Sequence, residues 1–212
     1  MLAAPAGRLM RGCTMPDGPL TDEGLAAVLV RGPRPVRVTL SEYDPTWPAR
    51  FDARAAELRE ILGDRARPIE HIGSTAVPGL AAKPVVDIVV GIEDPDDEMA
   101  YLPELEAAGY DLRVREPGHR CLRIGEPDEP VNLHCYPPDH AEIRKYLIFR
   151  DRLRDDDDDR RLYEATKRSL ADREWPDMNY YAEAKRPVID AILGRAGWTG
   201  QVTVPGPGSD PA

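Results

Sequence analysis

The stretch that most constrains this chain runs from Ile69 to Gly91. Within it, Val85-Val86-Asp87-Ile88-Val89-Val90 is an almost unbroken β-branched run with one carboxylate near its start. Such a run marks a strand covered on both faces. A charge inside it is costly unless it is paired or opens into a cleft. Asp87 is therefore either a structural ion-pair partner or a chemical centre. Before it, Ile69-Glu70-His71-Ile72 reads as another strand, ending in the turn Gly73-Ser74-Thr75. Backbone N–H groups and two hydroxyls meet at that turn, an arrangement able to cradle phosphate oxygens.

A chain of 212 residues suits one domain with a substantial core. No apolar run approaches the length of a membrane span, so no membrane partner is expected. Arg8 and Arg11 interrupt a weakly apolar start, which argues against a secretory signal and for a cytoplasmic location. Cys13, Cys121 and Cys135 are odd in number and form no C-x-x-C, so free thiols are expected rather than disulfides or a zinc site. The formal net charge of -10 disfavours a nucleic-acid partner. Of the 28 basic residues four are lysines (Lys83, Lys145, Lys167 and Lys185), leaving 24 arginines. That scarcity makes each lysine noticeable.

Periodicity and punctuation place the remaining elements. Residues 1–33 read as a mostly disordered arm, although Thr21 could cap a short helix through Val28. Val36–Leu40 alternates like a half-buried strand. Trp47, Phe51, Ala55, Leu58 and Leu62 share one helix face, with Pro48 tolerated in the first turn. A helix through Met99, Leu102, Leu105 and Ala108 should end at Gly109. Strands follow at 110–114, 119–124 and 131–136, then helices at about 139–153, 158–172 and 178–193, the last kinked or restarted by Pro187. The run Asp155–Asp159 reads as a solvated linker plus helix N-terminal acids, and the tail 199–212 as disordered.

Known phosphate and nucleophile motifs fail. G-x-x-x-x-G-K-[ST] counted from Gly73 would need Gly and Lys where the chain has Pro78 and Gly79. There is no G-x-G-x-x-G and no G-x-S-x-G, and Ser74 has no base that the sequence identifies.

Glu70-His71-Ile72-Gly73-Ser74-Thr75, Val77-Pro78-Gly79-Leu80-Ala81-Ala82-Lys83-Pro84 and Asp87 closely resemble the GrpB-like family. The resemblance extends over about residues 36–195 through Tyr43–Pro48, Val131–His134, Phe149–Asp151, Tyr181 and Lys185. It implies an α/β (α+β) domain over 34–198 of nucleotidyltransferase type, a small mixed sheet flanked by helices with a helical C-terminal half. In that superfamily a Gly-Ser turn holds a nucleoside triphosphate, and an Asp-x-Asp pair with a third acid holds magnesium. Here Val89 stands two residues after Asp87, and Asn132 and His134 occupy the strand where a third acid would lie. Some relatives are fused to dephospho-CoA kinases, which implies a second role as an accessory domain for a protein partner.

Two expectations follow. In an enzyme, Gly73, Ser74, Thr75, Lys83, Arg120 and Asn132 would hold phosphates, Asp87 would take Mg2+, and His134 or His71 would handle the acceptor proton. His71 has an equal alternative as a loop anchor. In a catalytically reduced member, the same cleft would bind a nucleotide or phosphate ligand, or a partner, without transfer.

Overall fold

The computed structural model describes residues 21–125 and 128–200. The expectations for the arm before residue 21, for Cys13 and for the tail from 201 lie outside the described residues. Five strands form one mixed sheet: β2 (Ala66–Ile72), β3 (Val86–Ile92), β4 (Asp111–Glu116), β5 (His119–Ile124) and β6 (Val131–Tyr136). Their order is β2-β3-β6-β5-β4, with β3 and β6 parallel at the centre and every other pair antiparallel.

Alternation along β3 divides its residues between the two faces. Val86, Ile88 and Val90 pack with Trp47, Leu58 and Leu62 of α2 (Trp47–Leu62) and Leu105 of α3 (Leu102–Ala107). On the other face Val89 packs with Ile72, Tyr136 and Ile143 of α4 (Ala141–Asp155). Asp87 shares that second face and is half-buried, where the helical cover opens. At about 25 cal/mol per Å² of apolar surface, these two covers supply most of the drive for the strand that carries Asp87.

The helical half consists of α4, α5 (Asp157–Ala171), α6 (Met178–Ala184) and α7 (Arg186–Arg195). Pro187 lies in the first turn of α7, so it restarts the helix rather than bending it. Val77 and Leu80, from the segment between β2 and β3, join Leu153, Tyr163 and Ile192 in a separate core cluster. The loop after Gly73 is thereby tied to the helical half. Asp156 caps α5 by accepting from the Asp159 N–H at 2.9 Å. Asp157 and Asp158 pair with Arg160 and Arg161 as exposed i,i+3 acids. Asp159 departs from the solvated reading: it is buried between Arg152, at 2.6 Å, and Arg195.

Three expectations are corrected. Residues 21–33 are docked rather than loose: α1 (Asp22–Val28) buries Leu25 to 1% exposure, and Val30 N–H donates to the Arg113 carbonyl at 3.0 Å. A single buried leucine and one strand-like contact with Leu29 and Val114 outweigh the weak local periodicity. The alternation over Val36–Leu40 yields only β1 (Val36–Arg37), which pairs with β7 (Glu174–Trp175) before the chain leaves to meet Ala82 through Ser41. The helix through Met99 starts later, because Pro103 belongs in a first turn; Tyr101 is buried in place of Met99, which is 82% exposed. Cys121 and Cys135 are buried free thiols, one residue out of register and so on opposite faces of the sheet.

Candidate functional site

The cleft forms where β3 and β6 run side by side, and it opens opposite the α2 face. Asp87 lies directly across from Asn132 in the parallel pair. Asn132 Nδ2 donates to Asp87 Oδ1 at 2.7 Å, and Arg123 of β5 donates to Asn132 Oδ1 at 2.9 Å. Arginine, amide and carboxylate therefore form one chain across three strands. The other carboxylate oxygen sits against Gly73. A Cβ there would meet Asp87 Oδ2 at 2.5 Å, and Gly73 has φ +72°, so only glycine fits the turn beside this acid.

The Gly73-Ser74 turn is pinned from both sides. Arg154 of α4 donates to the Ala76 carbonyl at 2.9 and 2.7 Å. Glu164 of α5 accepts from the Ala81 N–H at 3.2 Å. Beneath the turn, the buried Thr75 hydroxyl donates to the Val85 carbonyl at 3.2 Å. Its proton being spent there, Thr75 accepts from His71 Nε2 at 3.0 Å, which fixes the His71 tautomer. Burial first, and then nearby arginines, hold the His71 pKa down to about 4 against the pull of Asp87. The ring is neutral and stacks on Phe51 at 4.8 Å.

His71 thus takes the anchoring alternative, on the sheet face away from Asp87. Thr75 serves the same anchor. Arg120 also faces away from the cleft, since its register partner is Cys135 rather than Asn132. It is buried against Asp96 and Glu98 at 2.9 and 2.5 Å. Arg123, three residues on, occupies the position that the sequence suggested for Arg120. His134 does reach the cleft face, with Nδ1 3.3 Å from His119 Nε2. Burial and then His119 hold its pKa down to about 4, so it too is neutral near pH 7.

All four lysines line one cavity of 760 Å³ together with Ser74, Asp87, Arg123, Asn132 and His134. Lys83 lies over the entrance to β3 with its Nζ 2.9 Å from Met178 Sδ. Lys185 sits on the Tyr181 ring, 4.8 Å from its centroid. Burial lowers both pKa values to about 8, opposed by Asp87 in each case. Lys167 of α5 donates to Ser74 Oγ at 3.0 Å and to the Ala81 carbonyl. Burial, and after it Lys185, lower its pKa to about 7. Tyr163, one turn earlier on α5, is buried and lines the same cavity as Ser74. Neither Lys167 nor Tyr163 stands near Ser74 in the sequence. Their only signal was lysine scarcity combined with the Tyr163, Lys167, Leu170 spacing, which puts a lysine on the buried face of a helix.

The donor set does not suit magnesium. Val89 shares Asp87's face but is fully buried under Ile143, so no second carboxylate stands beside the first. Glu70 is engaged with Arg150 at 2.9 Å. Among the described residues no group of three His, Cys, Asp or Glu side chains could hold a metal ion. Magnesium needs hard oxygen ligands, and Asp87 at the turn is hydrogen-bonded to Asn132 with no second carboxylate across from it or beside it on β3. No helix of the described residues is long and apolar enough to cross a membrane.

Comparison with known proteins agrees with this architecture. The family described as GrpB protein matches residues 37–195. A UPF0157 protein from Halalkalibacterium halodurans is 45% identical over 186 residues, covering 85% of this chain and 94% of that protein. A dephospho-CoA kinase from Mycolicibacterium paratuberculosis is 32% identical over 177 residues, covering 71% of this chain but 44% of the kinase. The crystal structure of the conserved protein GrpB from Enterococcus faecalis superposes with a TM-score of 0.60 at 30% identity, covering 73% of this chain and 99% of that one. The chain belongs to the GrpB family.

Proposed function

We propose that this protein binds a phosphorylated small molecule of nucleotide size in the lysine-lined cavity. The observation that carries the reading is that a chain of net charge -10 places all four of its lysines around one cavity. Lys83, Lys185 and Arg123 supply positive charge beside the Gly73-Ser74 turn, and Tyr136, Tyr146 and Phe149 line an apolar wall for the rest of the ligand. A compact ammonium on a flexible stem suits a phosphate oxygen that arrives from several directions. Metal-dependent nucleotidyl transfer is not part of the reading, because the acid set offers magnesium a single carboxylate.

Calorimetric titration with ATP, ADP and pyrophosphate, with and without magnesium, tests it. Binding should need no metal, and Lys83→Ala with Ser74→Ala should weaken it at least tenfold while the melting temperature holds. Equal affinity in parent and variant, or no heat from any of the three, would sink the proposal. A second reading, an accessory domain acting on a protein partner, is favoured by the stretch similar to this chain within a dephospho-CoA kinase. Its test is co-purification with the organism's own dephospho-CoA kinase.

A further inference from the structure

Lys167 presents a puzzle that anion binding alone does not resolve. Its amine is carried into the interior, 2% exposed, to reach a turn that Arg154 and Glu164 already pin. Burying an ammonium for one more tie is unfavourable. What Lys167 adds is a basic nitrogen 3.0 Å from the hydroxyl of Ser74, a residue that is itself partly exposed to the cavity. In its neutral form the amine can keep one N–H on the Ala81 carbonyl and turn its lone pair to the Ser74 hydroxyl, reversing the donation that the ammonium makes to Oγ. A hydroxyl paired to a buried lysine is a recurring way to make serine nucleophilic.

We propose that Ser74 is a nucleophile with Lys167 as its general base, and that the pair accepts the acyl group of an acyl phosphate, a mixed carboxylic–phosphoric anhydride. The choice of substrate class rests on the proposed anion site. Lys83, Lys185 and Arg123 would hold the phosphate, which is the leaving group in such a compound and departs without a metal. In the first step Lys167 Nζ takes the proton from Ser74 Oγ as Oγ bonds to the carbonyl carbon. The carbon–oxygen bond to phosphate breaks, and the phosphate leaves with the electron pair. The departing phosphate takes up that proton from Lys167 and leaves as hydrogen phosphate, which restores the free amine. In the second step water attacks the seryl ester with Lys167 again as base, and the proton it draws from water returns to Ser74 Oγ as the bond from Oγ to the acyl carbon breaks. The carboxylic acid then releases one proton to solvent, leaving a free carboxylate and the restored serine.

Burial, and after it the like charges of Lys185 and Arg168, favour the neutral form of Lys167, while Glu164 and the face of the Tyr163 ring, 4.9 Å from the amine, favour the ammonium. The amine is therefore free of its proton in a useful fraction of molecules near pH 7.

The test uses the full chain and an uncharged fluorophosphonate probe, with peptide mapping of the labelled residue. The probe needs no anion site, so failure here and failure of ligand binding are separate results. We expect label on Ser74, a labelling rate that rises through about pH 7, and a loss of at least about 100-fold in Lys167→Arg, which keeps charge but cannot act as base. Acetyl phosphate should then acetylate Ser74. Absence of label on Ser74, equal labelling in Lys167→Arg shown by circular dichroism to be folded, or acetylation of Lys167 in place of Ser74 would each overturn the proposal.

Discussion

The buried amine of Lys167 should write itself into the pH dependence of stability. Its folded-state pKa is lowered to about 7, first by burial and then by Lys185, from a reference value of 10.5. Across the window between those two values the unfolded chain holds a proton that the folded chain does not. Stability must therefore rise with pH there, by about 1.4 kcal/mol per pH unit for one proton. Below the window both states are charged and the cost of burying the ammonium is fully present. Above it both are neutral and that cost is gone. From pH 7 to pH 9 the parent should gain about 2 kcal/mol from this residue, since the slope is only half developed at the folded pKa. Lys167→Met keeps the side-chain volume and removes the titration. Lys83 and Lys185 also have lowered pKa values and steepen the curve, but they remain in both proteins and largely cancel in the difference. Urea unfolding followed by tryptophan fluorescence at pH 6, 7, 8 and 9 gives the two curves. The methionine variant should be the more stable at pH 6, with its advantage shrinking by about 2 kcal/mol between pH 7 and 9. Parallel curves would refute the claim that this amine is buried against its charge.

Three further outcomes follow from the same geometry. Leu25→Ala should cost about 3 kcal/mol, because the leucine is buried where α1 meets the domain, and a chain starting at residue 34 should melt well below the parent; an unchanged melting temperature would show that α1 is dispensable. Val89→Asp places a second carboxylate beside Asp87 but drives it under Ile143, so urea titration should show a loss of about 3 kcal/mol or more, with no stoichiometric magnesium binding by calorimetry. Affinity for pyrophosphate should fall roughly tenfold or more from pH 7 to pH 9.5 as Lys83 and Lys185 lose their protons, and calorimetry in buffers of different ionisation heat should report proton uptake on binding.

What the sequence exposes and what it hides divide along one physical line. The strand carrying Asp87 was legible because its β-branched run has only one stable solution, burial on both faces, and α2 and α4 provide it. The turn before it was legible because Gly73-Ser74-Thr75 breaks the strand pattern, and the structure adds that Gly73 fits closely against Asp87. Side-chain direction was partly legible: Asn132 and His134 share a face by alternation, and they do meet the cleft. Arg120 and Arg123 shared a strand with no sign of which faced inward until register with β6 settled it. Lys167 was not legible as a partner at all, because it reaches Ser74 across a separation of 93 residues. Its presence there depends on α5 docking over the loop through Val77, Leu80 and Tyr163. Apolar residues that merely fill that contact fix the distance between a hydroxyl and an amine, so a volume change at Leu80 should loosen the pair as surely as a change at Lys167. Leu80→Ala therefore separates packing from chemistry. If Ser74 and Lys167 act as a unit, it should slow labelling of Ser74 while leaving the pH midpoint of that labelling near 7.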